Sequence, residues 1–417
     1  MNRAALMGLP LLRTMRHPRM RLGSALLVLL GAGAYQVLAL PGYLHMYDFR
    51  FEFIPASRRA WAGQSPYLPL HIGAPGKIVA GFFDTPVFLF LLGPLSALSL
   101  DVSQWIWLGL ELAAVAVTLL VLYRSIGRPT WTELALALSL LFLFLPLKDS
   151  LDDGQTGPFV SLFVVCALYF HLRGRDRTGG LFMGLAIGIK LFPVIALVYF
   201  AWRRAWGLLA AAAATLLVLF GATLLTGWGH YWAPFLFNVR MVSNGSAQLL
   251  NQSLNGLVLR ALAPAAYGSP IAFPGWGVRV IWTLTQLGLV AFAGRTLVRM
   301  QLPPQLQEWA RLGLLLLVIP ILLPFAWIHH YAEALVLVPV WVRAARLGLV
   351  SPLALTAVVV VFVASATLIV PWYFGALALQ GQSMLDQPRL VGGSLAVLCA
   401  LGWVLAHGGL HQRTGAT

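Results

Sequence analysis

The chain has 417 residues, of which 59% are hydrophobic and only 10% charged, and its 28 Lys and Arg against 13 Asp and Glu give a formal net charge of +15 at pH 7. This composition excludes a soluble globular domain, because apolar runs of the ~20 residues needed to cross ~30 Å of hydrocarbon recur from one end to the other. It also argues against nucleic acid as a partner: the basic residues sit in short clusters between apolar runs, where they act as orientation signals for insertion.

Residues 1–21 carry Arg13, Arg16, Arg19 and Arg21 and are expected to be a cytoplasmic N-terminus. The apolar run after them is too long for a typical cleaved signal and reads as a retained anchor. A first outer loop, 41–83, follows, with "YLHMYDFRFEFIPASRRAWAGQSPY" from Tyr43 to Tyr67. In a helix, Asp48 and Glu52 share one face, with Arg58 and Arg59 about two turns further on. "TPVFLFLLGPLSALSL" is short and holds Pro86 and Pro94, so it is expected to be a partial or re-entrant element. Irregular backbone at membrane depth survives only where protein or water covers it, which points to a cavity.

The run "WIWLGLELAAVAVTLLVLY" leads to the basic "YRSIGR", and the next run returns to the outer turn "KDSLDDGQTG" at Lys148 to Gly157. Between the basic clusters "HLRGRDR" and "WRR" stand only the residues Thr178 to Ala201, enough for one crossing but not two. A short helical hairpin that enters from the cytoplasm and turns back, with Lys190 and Pro193 near its tip, resolves the parity. A long second outer loop, 227–275, holds "NQSLNGLVLR" (Asn251 to Arg260), and "FAWIHHYAEALVLVPVW" (Phe325 to Trp341) enters from outside and ends near the basic "RAAR". The expectation is one all-α, polytopic transmembrane domain over 1–417, with about ten full crossings plus short or re-entrant helices, and both termini inside. No repeat period is present. Cys166 and Cys399 both lie in apolar runs and read as small core hydrophobes.

Several outward residues have chemistry to offer. A desolvated carboxylate at Asp48 or Glu52 suits general-base work on a hydroxyl, and a charged helix lying on the membrane surface is the plainer alternative. Lys190 is an ammonium deep in an apolar segment with no interface within reach, and an anionic lipid phosphate is its natural partner. His329 and His330, beside Trp327 and Tyr331 and ahead of Glu333, suit hydrogen bonding to phosphate or sugar. No HExxH or comparable spacing is present, so no metal ligand set is expected. The amides of Asn251 and Gln252 and the guanidinium of Arg260 suit polyol or phosphate recognition, or else cap an interfacial helix. Gln155, Arg58 and Tyr67 complete the candidate binding set. The absence of a P-loop, a Rossmann fingerprint and a G-x-S-x-G elbow leaves no visible site for a soluble nucleotide sugar.

The ordered set "YDFRFEF", "AWAGQSPY", "DDGQTGPFVSLF", "GLAIGIKLFPVIAL", "NQSLNGLVLR" and "PFAWIHHY" resembles the bacterial GT-C glycosyltransferases of family 87, the polyprenol-phosphate-mannose-dependent α-mannosyltransferases of the phosphatidylinositol-mannoside type. The resemblance runs from Asp48 to Trp341. It implies a GT-C helical fold in the bacterial inner membrane with its active site on the periplasmic or extracellular face. It further implies a polyprenyl-phosphate-sugar donor, a lipid or glycan acceptor, an inverting displacement and no cofactor, with membrane lipids as the surroundings. Asp48 takes the place of the family's catalytic base. Glu52 or Phe53 stands where the family usually has a tyrosine, so Glu52 remains a second candidate for the base, and Asp84 in "FFDTPVF" is an additional acid. The competing classes are a transporter or flippase of a lipid-linked or small anionic substrate, and a membrane subunit without catalysis. The clustering of acids, amides and histidines on one face, with no pseudo-symmetric halves, speaks against both.

Overall fold

The structure is a computed structural model that describes residues 46–67, 83–248, 251–263 and 271–349. The N-terminal anchor and Cys399 lie outside the described residues. Regular structure among the described residues is helical throughout, without a strand, as expected where hydrocarbon leaves the backbone no outside partner for its hydrogen bonds. Four helices there are long and apolar enough to cross a membrane: α3 (Leu100–Ile126), α9 (Trp206–Leu225), α12 (Trp276–Arg299) and α13 (Pro304–Leu322). A fifth span arises if the pair α4 (Trp131–Phe142) and α5 (Leu145–Asp153), bent by 62°, counts as one. Pro146 in the first turn of α5 accounts for the break, since it has no N–H to bond the Phe142 carbonyl and its ring would clash with that carbonyl in a continuous helix.

α13 is the central helix, with 78% of its apolar window buried, whereas α12 is peripheral at 6%. α3 and α6 (Gly157–His171) start side by side: the Trp107 ring lies 4.7 Å from that of Phe159, and Trp107 Nε1 donates to Gly154 O. Both then run away from that end, to "YRSIGR" and "HLRGRDR" respectively. At the far end Glu133, which closes a capping box with Thr130 at the start of α4, forms an ion pair with Arg343 (2.9 Å) and accepts from Arg346 Nη1 (2.6 Å) at the end of α14 (Leu337–Arg346). The basic clusters thus gather opposite the end where α3 and α6 begin.

The stretch between "HLRGRDR" and "WRR" forms the hairpin. α7 (Asp176–Ile189) ends at Lys190, whose backbone is extended, and the chain returns through a 3-10 turn at Phe192–Ala196 and α8 (Leu197–Trp202). α7 turns a glycine stripe toward α9. A Cβ on Gly184 would lie 2.5 Å from Thr215 Cβ, one on Gly188 would lie 2.8 Å from Leu219 Cδ1, and Gly180 abuts Leu208 O. The partners climb together, so α7 and α9 run parallel and the chain between them must come back. Its foot is pinned: Tyr199 Oη donates to Glu308 (2.6 Å), and Arg203 and Arg311 pair with the same carboxylate at 3.2 and 2.8 Å. Leu219 lies some four helical turns into α9, so the tip stands about 20 Å above the foot.

The segment after Asp84 is the short element expected: α2 (Pro86–Leu91), a break at Leu92 and one further turn, Gly93–Ser96. Thr85 caps α2 by accepting from Phe88 N, and its hydroxyl donates to Gly188 O, which fastens this piece to the hairpin tip. Cys166 is buried and unbridged.

Two outcomes follow from the hairpin. Gly184→Leu, which forces a branched side chain into Thr215, should destabilise the protein by about 1–3 kcal/mol, read as a lowered midpoint of thermal unfolding in detergent. In a background lacking Cys166 and Cys399, a cysteine at Gln64 should react with a membrane-impermeant thiol reagent added to intact cells, and one at Arg204 should not. Labelling at 204 from outside would contradict the fold.

Candidate active site

The site is assembled where the segment 46–67 meets the C-terminal turn of α5. Met46 N donates to Asp152 O (2.7 Å), and the Phe49 ring stacks on Trp107 at 5.2 Å. Between them lies Gly154, in the left-handed conformation (φ +69), where a Cβ would stand 2.7 Å from Phe49 Cβ. Only glycine serves both the helix-ending turn and this approach. The loop continues as a π-helical turn, Phe49–Phe53, into α1 (Ile54–Trp61), which places Asp48 and Glu52 on the same side.

Asp48, 3% exposed, accepts a hydrogen bond from Gln155 Nε2, and Gln155 Oε1 accepts from Lys190 Nζ at 3.1 Å. The amide has one orientation consistent with both bonds, oxygen toward the ammonium and nitrogen toward the carboxylate. His329 and His330 arrive on a 3-10 helix, Ile328–Val336, that packs on α5 and α13. Their rings stack at 4.6 Å; His330 Nδ1 accepts from Trp327 N, and His329 Nδ1 faces Asp149 Oδ2 at 3.6 Å and Asp153 Oδ2 at 3.7 Å.

These groups form the polar wall of a cavity of about 340 Å³, which Asp48, Glu52, Gln155, Lys190, His329 and His330 all reach, joined by Asp84. The rest of the lining is largely apolar, with Val194 and Ile195 from the hairpin, Val239 and Val242 from α10 (Trp232–Val242), and Leu323 and Phe325. Burial lifts the Asp48 carboxyl above the usual carboxylate range and Asp153 adds to it, while His329, the Gln155 hydrogen bond and Lys190 act the other way. Burial lifts Glu52 as well, reinforced by Asp48 and then Asp84, with His329 opposing.

Arg58, Tyr67, Asn251, Gln252 and Arg260 were expected among the binding residues, and the structure does not bring them to the cavity wall. Arg58 donates to Ser96 O (2.9 Å) and Leu98 O (2.8 Å), and Tyr67 Oη donates to Asp84 O (2.9 Å). Asn251 is used on both sides of its amide: Nδ2 donates to Ser246 O and Pro324 O, and Oδ1 accepts from Ser253 N and Ala326 N. Gln252 N donates to Ala326 O, its carbonyl accepts from Tyr331 Oη, and Arg260 donates to Gln248 O and Asn251 O. "NQSLNGLVLR" therefore clamps 324–331, and through it sets the two histidines. The physical reason is the buried backbone of this loop, whose donors and acceptors need partners inside the protein.

Asp149, Asp153 and Glu333 stand close to His329 or Lys190 and were not singled out from the sequence. The signal for the first two was the same four-residue spacing that marked Asp48 and Glu52.

Residues 82–324, more than half of the chain, match the family model described as Glycosyltransferase family 87. The chain is 27% identical over 300 residues to the polyprenol-phosphate-mannose-dependent alpha-(1-2)-phosphatidylinositol pentamannoside mannosyltransferase of Mycolicibacterium smegmatis, covering 70% of this chain and 64% of that protein. It is 27% identical over 336 residues to the polyprenol-phosphate-mannose-dependent alpha-(1-2)-phosphatidylinositol mannoside mannosyltransferase of the same organism, covering 71% and 72% respectively. Among solved structures, ArnT from Cupriavidus metallidurans bound to undecaprenyl phosphate aligns with a TM-score of 0.42 at 14% identity, over 94% of this chain and 77% of that one. By the extent of the family match, the chain belongs to glycosyltransferase family 87.

Proposed function

We propose that the protein is an inverting hexosyltransferase of GT-C type in the bacterial inner membrane. It moves mannose from a polyprenyl-phosphate donor to a hydroxyl of a lipid or glycan acceptor at the outer face. The observation that carries this reading is the chain Lys190–Gln155–Asp48 in the lining of a cavity whose remaining lining is largely apolar. The printed names of the two relatives supply the donor class.

A sugar held as a phosphodiester has a good leaving group, so two tasks remain to the protein. Asp48 takes the proton from the acceptor O–H as the oxygen forms its bond to the anomeric carbon. The bond from that carbon to the phosphate oxygen breaks on the opposite face, its electron pair leaves with the phosphate, and a β-linked donor becomes an α-linked product. The departing polyprenyl phosphate gains a negative charge, which the fixed ammonium of Lys190 and the donors of the histidines stabilise in a poorly solvated pocket. The apolar part of the lining accommodates the isoprenoid.

Asp48 is the base rather than Glu52 because Gln155 donates to it, which favours the ionised form, whereas Glu52 faces the carboxylates of Asp48, Asp84 and Asp153. With purified protein, polyprenyl-phosphate-mannose and a panel of lipid and glycan acceptors, Asp48→Asn should lower turnover by about 10²- to 10⁴-fold with donor binding nearly intact. Glu52→Gln should retain far more activity. Normal turnover in Asp48→Asn would remove the assignment, and its loss in Glu52→Gln alone would transfer the role.

Lys190→Met removes the cation and also releases the Gln155 amide. Donor affinity should fall by one to two decades, the equivalent of roughly 1.5–3 kcal/mol for a charge-assisted contact. Unchanged affinity by donor titration would separate Lys190 from the phosphate.

A further inference from the structure

We propose that Glu333 is a positioning residue for Lys190, the acid that holds its ammonium in place from a position no substrate reaches. Glu333 lies on the 3-10 helix Ile328–Val336, three residues after His330. Side chains three apart eclipse one another in such a helix, so Glu333 stands one turn further along from a ring that lines the cavity. His330 in turn lies against the hairpin tip: its ring is 5.9 Å from that of Phe192, and Lys190 Nζ is 5.7 Å from the same Phe192 ring. The cation that Glu333 faces is Lys190, with His329 next.

The surroundings of Glu333 call for a charge partner. The residue is 1% exposed, and apart from its own backbone N–H neither carboxylate oxygen has a hydrogen-bond partner among the described residues. Burial opposes the ionised form of such a group, and Lys190 is the neighbour that most favours it. A helix end adds to this support. Oε1 lies 3.7 Å from the point that a Cβ on Gly157 would occupy, and Gly157 opens α6, where the helix dipole favours negative charge. Ser150 Oγ, buried and also without a partner, is 2.8 Å from the same point. Gln155, two residues before Gly157, accepts from Lys190. The turn between α5 and α6 thus meets the ammonium through Gln155 and the carboxylate through Gly157.

Three carboxylates face Lys190: Asp48, Asp84 and Glu333. Asp48 and Asp84 line the cavity, where a substrate meets them, and Asp48 has the proton transfer to perform. Glu333 is outside that lining, so it stays with the ammonium whatever enters. A cation that serves a departing phosphate gains from such support, because its position is settled before the charge develops. That use rests on the transfer reaction proposed above; the pairing of the two side chains does not.

The test is a double-mutant cycle on full-length protein in detergent, read as the midpoint of thermal unfolding without donor. Glu333→Gln keeps the shape and removes the charge, and it should lower the midpoint in the wild type. In the Lys190→Met background, where the carboxylate is already stranded, the same substitution should leave the midpoint unchanged or raise it. Glu308→Gln, which breaks the separate network with Tyr199, Arg203 and Arg311, is the control, and its loss should be equal in both backgrounds. If Lys190→Met alone does not fold, recovery of folded protein in the double variant supports the pairing and failure to recover it overturns the proposal. An equal loss on Glu333→Gln in both backgrounds, or none in the wild type, overturns it too. With polyprenyl-phosphate-mannose, Glu333→Gln should lower turnover at least about tenfold in the wild type and less than about twofold in the Lys190→Met background. Equal losses in the two backgrounds would remove the positioning role in transfer. A wild type that transfers nothing sinks the reaction proposed above, and the unfolding cycle still decides the pairing.

Discussion

The parallel packing of α7 on α9 is the constraint from which the site follows. Glycine at 180, 184 and 188 lets the two backbones approach closely, with the end of α7 level with Leu219 of α9. The chain must then reverse at Lys190. Reversal at that depth leaves an extended residue away from either interface, and the helix end needs neighbours for its free carbonyls. Thr85 supplies one by donating to Gly188 O. The same break that frees the backbone aims the lysine at the turn after α5, where Gln155 meets it. Structure and charge are thus solved by one feature: a hairpin too short to cross presents its tip as a wall of the cavity.

That wall makes the electrostatics of the outer loop intelligible. A carboxylate as buried as Asp48 is costly unless hydrogen bonds or opposite charge support it. Gln155 gives it an amide donor, and Lys190 fixes the direction of that amide by engaging its oxygen. A reversed amide would set oxygen against carboxylate and nitrogen against ammonium. Among the described residues no side chain donates to Glu52 in this way. Two acids one turn apart on the same face therefore have different surroundings, which is how a site separates the roles of two chemically similar groups.

Much of this was legible in the sequence because it followed from length. The residues between "HLRGRDR" and "WRR" are too few for two crossings, and Pro86 and Pro94 interrupt a run too short for one, so hairpin and half-helix could be read by counting. The misreadings have a common cause. Asn251 and Arg260 have side chains that bind sugars and phosphates, but the same amide and guanidinium satisfy buried carbonyls and amides of a loop, and sequence does not distinguish the two uses. Arg58 was similar, its guanidinium closing the last turn of a short helix. Asp149 and Asp153 were overlooked because they belong to a turn that reads as a solvated connection. Only the bend between α4 and α5 tucks that turn under the histidines.

The clamp formed by "NQSLNGLVLR" shows why residues remote from the cavity still bear on its chemistry. Asn251 bonds backbone at 324 and 326, Gln252 bonds 326 and receives Tyr331, and the two histidines lie between these anchors. A 3-10 segment has poorer hydrogen-bond geometry than an α-helix and holds its shape less firmly on its own. Loss of the Asn251 amide would free four backbone groups at once, two of them in the stretch that leads to His329. The orientation of the rings is therefore set from the segment 251–260 and the position of Asp48 and Glu52 from the segment 46–67. The polar wall exists only where the two segments meet, at the tip of the hairpin.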